Sequence, residues 1–482
     1  MNKFRYMSML LLSTLLVGCG NTNSNSEHNQ KDNDDCIIKE DVEINFLCMS
    51  DKKYNDLLVD IIKDFAKVEP HVKVTLSNPL GTGNYSNLEN IVVAGFFKEN
   101  YPDMVQCYPD NVVKYIQRGY AVDVSDYLTN AKYGLGEEAQ DYISAFMNEG
   151  KGYPVSGTYS LPFCKSTELM YYNADVLLNL DLSGVDPSIN GGQPLTASYL
   201  DNLTWEELFG KLCPALMQYN ANVEPIMVGG EGSAIFTYDS DENFFITLAN
   251  QYGYGYTSMN ANGKGSIDFN NAGMKDLMKT LKSAKDNKYL HTKYSYGNYV
   301  SELFVEKKSL FTISSTASLS YNYNSDDPFT IGVAKLPHAE GKNYSSINQG
   351  PSVCILDHKD ENRSLAAYLL WKHLTNETNS LDWALQTGYM GIRNSTYTSQ
   401  KYIDELNNTD TSDLYKLAQS ENLRKIGDVS DYTFNTAVFV GSSNARKNAG
   451  LILRDCLKSI DIDAEIDGIF QGYQIDAESY LG

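Results

Sequence analysis

An α/β protein built as two lobes is the fold this sequence predicts, and three observations carry that prediction. At 482 residues the chain exceeds what one hydrophobic core ordinarily holds. Between Glu43 and Gln106 it alternates strand, helix, strand, helix, strand, the opening of a doubly wound sheet. The stretch from Tyr153 to Leu178, YPVSGTYSLPFCKSTELMYYNADVLL, reads as one buried strand that carries a small polar loop at its beginning and a helix start at its end.

Each early element has a physical reason. Residues 43–49 (EINFLCM) are almost continuously apolar, as in a strand buried on both faces of a parallel sheet. Leu57, Leu58, Ile61, Ile62 and Phe65 form a helical stripe over 54–67, which Pro70 stops. Residues 72–76 alternate as a second strand, Gly81-Thr82-Gly83-Asn84 turns the chain, a helix follows over 85–97, and 102–106 (PDMVQ) give the third strand. That turn lacks the lysine and the glycine spacing of a phosphate loop. In a sheet of this kind ligands sit beyond the carboxyl ends of the strands, here near Ser50, Asn78 and Tyr108.

Further on, Thr204-Trp205-Glu206-Glu207 predicts a reciprocal capping box, and 241–251 and 272–287 predict helices. The glycine- and tyrosine-rich 252–266 reads as loop. Residues 309–314, 329–337 and 353–356 read as strands, and 362–374 and 379–387 as amphipathic helices with Leu365, Ala366, Leu369, Leu370 and Leu374 inward. From Lys401 helices are expected, one of them over 443–460, with no internal repeat.

The N-terminus reads as an export signal. Lys3 and Arg5 precede an apolar run over 7–17 that is too short to span a bilayer. It closes on Leu16-Val17-Gly18-Cys19, which resembles a bacterial lipobox, so the Cys19 thiol would take a diacylglycerol and become the mature N-terminus. The other reading is a plain secreted protein with an incidental cysteine. Residues 20–35 hold no apolar side chain to pack and form a tether. No internal run of eighteen apolar residues could cross a membrane.

The net charge of −22 argues against nucleic acid and anionic headgroups as partners of the body, since both need a basic face. The seven cysteines besides Cys19 are scattered without metal-like spacing, so buried single thiols are expected, with room for one disulfide. No HExxH, GxSxG or SxxK set is present, and the six histidines do not form a zinc set. No catalytic residue, metal or cofactor is therefore assigned.

The central stretch resembles the signature "G…Y.LP……lYYNkd.f" of the family 1 extracellular solute-binding proteins, the carbohydrate-type receptors of ABC importers. The same family is echoed in order by Pro70-His71-Val72-Lys73-Val74, by Pro102-Asp103 through Tyr108, and by the "TWdEl" of Thr204 to Leu208. Residues 309–316 resemble its return to the cleft floor, 329–337 its "ig.aplP" strand, and 387–395 its "tGylPvr.sa". Gly391 stands where that last motif usually has proline, which predicts a looser turn.

The resemblance implies a type II periplasmic-binding-protein-like fold: two doubly wound lobes with hinge crossovers near 163–166 and 350–353, and the ligand in the cleft between lobes. The implied division is 1–18 signal peptide, 19–40 lipidated cysteine and tether, 41–163 with 353–400 lobe 1, and 164–352 with 401–482 lobe 2. It also implies a monomer, held outside the cell membrane by Cys19, that takes a sugar or polyol derivative and docks on permease subunits.

Tyrosine suits such a ligand, offering an apolar face and a hydroxyl together, and the chain has 35 of them. Tyr85, Tyr108, Tyr389 and Tyr397 fall near strand ends. The glycerol-3-phosphate receptors of the family suggest further positions: Ser166 with Thr167, Ser315 with Thr316, Gly350, Tyr397, and Arg446 for a phosphate. Where those receptors have an acidic residue after a tyrosine, this chain has Pro109, with Asp110 one place on. Arg393 completes the set, from the 387–395 motif. Arg446 has a second reading as a salt-bridge residue at a helix start. A carbohydrate ligand leads, a glycerol-3-phosphate or phosphodiester ligand of the same family is the alternative, and a secreted paired-acid glycan enzyme is a distant one.

Overall fold

The near-continuous apolar strands of the N-terminal third assemble as their composition predicts. In the computed structural model of the protein, residues 14–15, 36–49, 52–77 and 85–481 are described. Cys19, most of the signal segment, the tether before Cys36, and Ser50 and Asn78 lie outside them. The chain divides into two units, one of residues 1–151, 156–163 and 351–380, the other of 152–155, 164–350 and 381–482.

In the first unit a six-stranded sheet runs in the order Thr14–Leu15, Val72–Ser77, Val42–Leu47, Met104–Cys107, Ser352–Ile355, Leu161–Pro162. Val42–Leu47 pairs in parallel with both Val72–Ser77 and Met104–Cys107, and Ser352–Ile355 enters antiparallel. The helix Lys52–Val68 buries Leu58, Ile61, Ile62 and Phe65, the stripe its spacing predicts. Asp103 is the polar pin of this unit. Its carboxylate accepts from the Asn45 amide at 2.7 Å and holds Arg363 by two bonds, 2.6 and 2.9 Å. The helix Glu361–Leu374 that carries Arg363 also buries Tyr368 and Trp371, so it is apolar around more of its girth than the expected stripe. The Trp371 indole donates to the Pro162 carbonyl at 2.9 Å: proline has no donor to give, so its strand is fastened through its acceptor. At the chain's entry, Cys36 and Ile38 are already buried, and the Glu69 carboxylate accepts from the Ile37 and Ile38 amides.

The second unit is built on a five-stranded sheet in the order Leu290–Thr292, Phe236–Tyr238, Phe311–Ser315, Glu168–Asn173, Ile331–Ala334. The central-signature strand Glu168–Asn173 is antiparallel to both neighbours and buried along its whole length. Its Tyr171 hydroxyl reaches Asn422 at 2.8 Å and so anchors the helix Leu414–Val429. Local capping signals locate the helix starts: Asn173 accepts from the Val176 amide, Ser240 from Asn243 and Asn271 from Met274.

Thr204 caps its helix, accepting from the Glu207 amide at 3.1 Å. The reciprocal half of the predicted capping box does not form, because the Glu207 carboxylate accepts instead from the Tyr199 hydroxyl at 3.0 Å. Thr204→Ala should therefore cost about 1 kcal/mol of stability and no more, measured by urea unfolding. A loss several times larger would mean that the reciprocal bond exists in solution.

The 252–266 segment also departs from expectation. It contains a short hairpin, Thr257–Met259 against Gly265–Ile267, with Gly265 lying under the Phe439 ring. Strands of three residues among glycines leave too little period-2 pattern to read. The seven cysteines among the described residues are all buried. Among the described residues no helix is long and apolar enough to cross a membrane.

Candidate functional site

The polar loop at the head of the Glu168–Asn173 strand does not dangle; it is zipped to the returning chain. Ser166 and Gln349 exchange both backbone bonds, each 2.9 Å. Next to this pair, the fully buried Lys165 donates its ammonium to the Gly350 carbonyl at 3.1 Å. Gly350 has φ +92°, and a Cβ there would lie 2.0 Å from the Cys164 carbonyl oxygen. Only glycine fits so close an approach at that backbone angle. Met390 then donates its amide to the Lys165 carbonyl at 2.7 Å, and Thr316 donates its amide to the Thr167 carbonyl at 2.9 Å. Four distant parts of the sequence thus meet around residues 165–167.

Beside these residues lies a buried polar network. The Glu168 carboxylate accepts from the Tyr238 hydroxyl at 2.5 Å and from the Asn243 side-chain amide at 2.8 Å. That amide also donates to the Gln349 side-chain carbonyl at 2.6 Å, while the Asn243 oxygen accepts from the Arg446 guanidinium. Burial pushes the Glu168 carboxyl up to about 7, against the pull of its two donors and the Arg446 charge. On the same helix start burial raises Asp241 to about 7, and just before it Asp239 to about 6. Sequence reading passed over Glu168, Tyr238, Asn243 and Gln349. The available signal was a glutamate opening an otherwise apolar strand.

The predicted residues fall into distinct situations. Ser166, 2% exposed, keeps a hydroxyl that bonds no described residue. The Thr316 hydroxyl is buried without a partner. Thr167 spends its hydroxyl internally, on the Ile347 carbonyl at 2.9 Å and the Ser346 hydroxyl at 2.6 Å. Ser315 caps the following turn through the Ala317 amide. Tyr389 follows the helix Glu377–Thr387, its amide on the Thr387 hydroxyl, and Arg393 is 2% exposed. Tyr397 packs edge-on to Tyr402 and gives its hydroxyl to the Gly391 carbonyl at 3.1 Å. That bond, together with Thr396 packed on Gly391, ties down the turn that was expected to be loose. Arg446 lies in the first turns of the helix Ser442–Lys458.

In the first unit, Tyr108 and Asp110 sit at the start of the helix Pro109–Gln117, where the Tyr108 amide donates to the Asn111 side chain at 3.2 Å. Tyr85 opens the helix Tyr85–Phe96; its side chain lies outside the described residues.

Chemically, the second unit holds the buried hydroxyls of Ser166 and Thr316, without partners among the described residues, beside a network whose charges offset one another. Residues 60–409 match the model of a family described as bacterial extracellular solute-binding proteins. The sn-glycerol-3-phosphate-binding periplasmic protein UgpB of Salmonella typhimurium is 23% identical over 344 residues, covering 69% of this chain and 70% of its own. The fold is similar to the crystal structure of UgpB from Mycobacterium tuberculosis in complex with glycerophosphocholine, with a TM-score of 0.68 at 17% identity over 91% of this chain and 98% of that one. It is equally similar to an ABC substrate-binding protein of Listeria monocytogenes in complex with cycloalternan, with a TM-score of 0.68 at 14% identity over 91% and 99% of the two chains.

Proposed function

Because this chain belongs to the bacterial extracellular solute-binding protein family, we propose that it is the lipid-anchored receptor of an ABC importer, capturing a neutral carbohydrate and passing it to the permease. One observation carries the choice of ligand: the Ser166 hydroxyl is held by a doubly bonded backbone pair yet has no partner among the described residues. A preplaced hydroxyl of this kind gains a hydrogen bond when ligand arrives and loses nothing on ordering. The neighbouring charges support a neutral ligand, with Lys165 directed at the Gly350 carbonyl and Arg446 close to Glu168. Thr316, Gly350, Tyr389 and Arg393 belong to the same proposed site, and Tyr85, Tyr108 and Asp110 are proposed as ligand contacts as well.

A glycerol phosphate or its diester is the second reading. It is favoured by the relatives named for such ligands and by the guanidinium of Arg446. The lipid anchor at Cys19, the tether, the monomeric state, binding without turnover, and the lobe division 41–163 with 353–400 and 164–352 with 401–482 are parts of the same proposal.

A thermal-shift screen of the purified chain against mono- and oligosaccharides, polyols and glycerol phosphates tests it, since a ligand of the folded state raises the melting temperature. A neutral sugar is the expected hit. Ser166→Ala and Tyr389→Ala should then weaken its binding roughly tenfold each, the worth of one hydrogen bond or aromatic contact, without lowering the ligand-free melting temperature. Stabilisation by glycerol phosphates alone would replace the carbohydrate with the second reading. Hydrolysis of a glycan would remove the receptor proposal altogether.

A further inference from the structure

The second unit holds a cavity of about 410 Å³ away from the residues just described, beside its open sheet edge. It is bordered by the edge strand Ile331–Ala334, by Asp201, and by Leu417, Glu421 and Lys425 of the helix Leu414–Val429. Three features make it more than a gap in packing.

The first is Tyr172. It is 3% exposed, lines the cavity, and its hydroxyl bonds no described residue. Its ring crosses the edge strand at Gly332, where any Cβ would lie 2.1 Å from the ring carbon that bears the hydroxyl. The glycine is what lets the phenol pass over the last strand. Burial and the Glu421 and Asp201 charges push that phenol up to about 12, so it stays a neutral hydroxyl.

The second is the edge itself. Ala174 donates to Thr330, and Asn173 turns its amide the other way, to Leu310. By antiparallel alternation Gly332 bonds to Tyr172, while the amides and carbonyls of Ile331 and Val333 point off the sheet. One end of this edge is closed by a carboxylate: Asp201 accepts from the Lys335 amide at 2.8 Å. The middle is open to the cavity.

The third is charge. Lys425 is held by Asp201 at 3.0 Å and Asp428 at 3.2 Å, and Glu421 pairs with Arg424, so the charged groups are mutually offset. The volume lies near the lower end of small-molecule pockets, roughly 300–1,000 Å³.

We infer that this cavity is a second small-molecule site, fitted to a compact uncharged polyhydroxylated ligand of monosaccharide size that bridges the Tyr172 hydroxyl and the free edge of Ile331 and Val333. The site lies wholly inside one unit and is independent of the ligand reading above.

The experiment is a titration of the full chain with D-glucose and with myo-inositol, followed by amide resonances in transverse-relaxation-optimised spectra. Shifts of Gly332 and Val333 are expected. Tyr172→Phe should weaken them about tenfold, the worth of one hydrogen bond. Ala197→Trp, at an exposed residue on the cavity's wall, should abolish them. Shifts confined to Ser166, Gln349 and Gly350 would overturn the second site while leaving the receptor proposal standing. Silence at Gly332 with both probes, or shifts that survive Ala197→Trp, would overturn it as well.

Discussion

Gly350→Ala is expected to destabilise the protein by about 3 kcal/mol or more. Two effects add: an L-residue forced to positive φ costs roughly 1–2 kcal/mol, and an overpacked methyl roughly 1–3. Here φ is +92°, and the new carbon would meet the Cys164 carbonyl oxygen at 2.0 Å and the Ser166 amide nitrogen at 2.9 Å. Both obstacles are backbone, so no side chain can swing aside. Relief would have to come from parting the Ser166–Gln349 pair, and ligand affinity should fall with stability. Gly210→Ala is the control, since a Cβ there meets nothing within 4 Å. Equal urea midpoints for the two variants would mean that the residues around Gly350 are not packed as described.

Glu168→Gln should flatten the dependence of stability on pH between about 5 and 8. The carboxyl's folded value, about 7, lies above its ordinary 4.5, so the native state binds its proton more tightly than the unfolded chain does. The stability it contributes is complete below about 4.5 and is lost as pH rises through 7, on the order of 3 kcal/mol at about 1.4 kcal/mol per unit of pKa difference. Glutamine resembles the protonated form, so parent and variant should have similar melting temperatures near pH 5, and the variant should be the more stable near pH 8. Part of the slope will remain, because Asp239 and Asp241 are raised by burial in the same direction. A variant with the parent's full slope would place Glu168 among ordinary ionised carboxylates.

Much of the fold was legible where a residue's role was local, the short hairpin within 252–266 being an exception. Apolar continuity located Val42–Leu47, the stripe Leu58, Ile61, Ile62, Phe65 located its helix, and Asn173 and Thr204 marked helix starts that the structure reproduces. What depended on distant partners was not legible. Glu168 draws its character from Tyr238 and Asn243, some seventy residues on, and no spacing rule links them. The hydroxyls of Ser166 and Thr167 look alike in sequence, yet one is unspent and the other consumed by Ile347 and Ser346. Tyr397 shows the converse: its place in a motif says nothing about whether its hydroxyl is already given to Gly391.

The seven buried cysteines of the described residues are hard to modify in the native state. Each is enclosed, and burial raises the Cys213 thiol well above its usual range and the Cys456 thiol to about 12. Thiolate is the reactive form, so alkylating reagents meet almost none of it until the surrounding structure opens. Cys36, Cys48, Cys107 and Cys354 lie in the first unit, and Cys164, Cys213 and Cys456 in the second. Peptide mapping of a timed alkylation would therefore read the opening rate of each unit separately, with no engineered probe site. The cysteines act as a native clock for the opening of each unit.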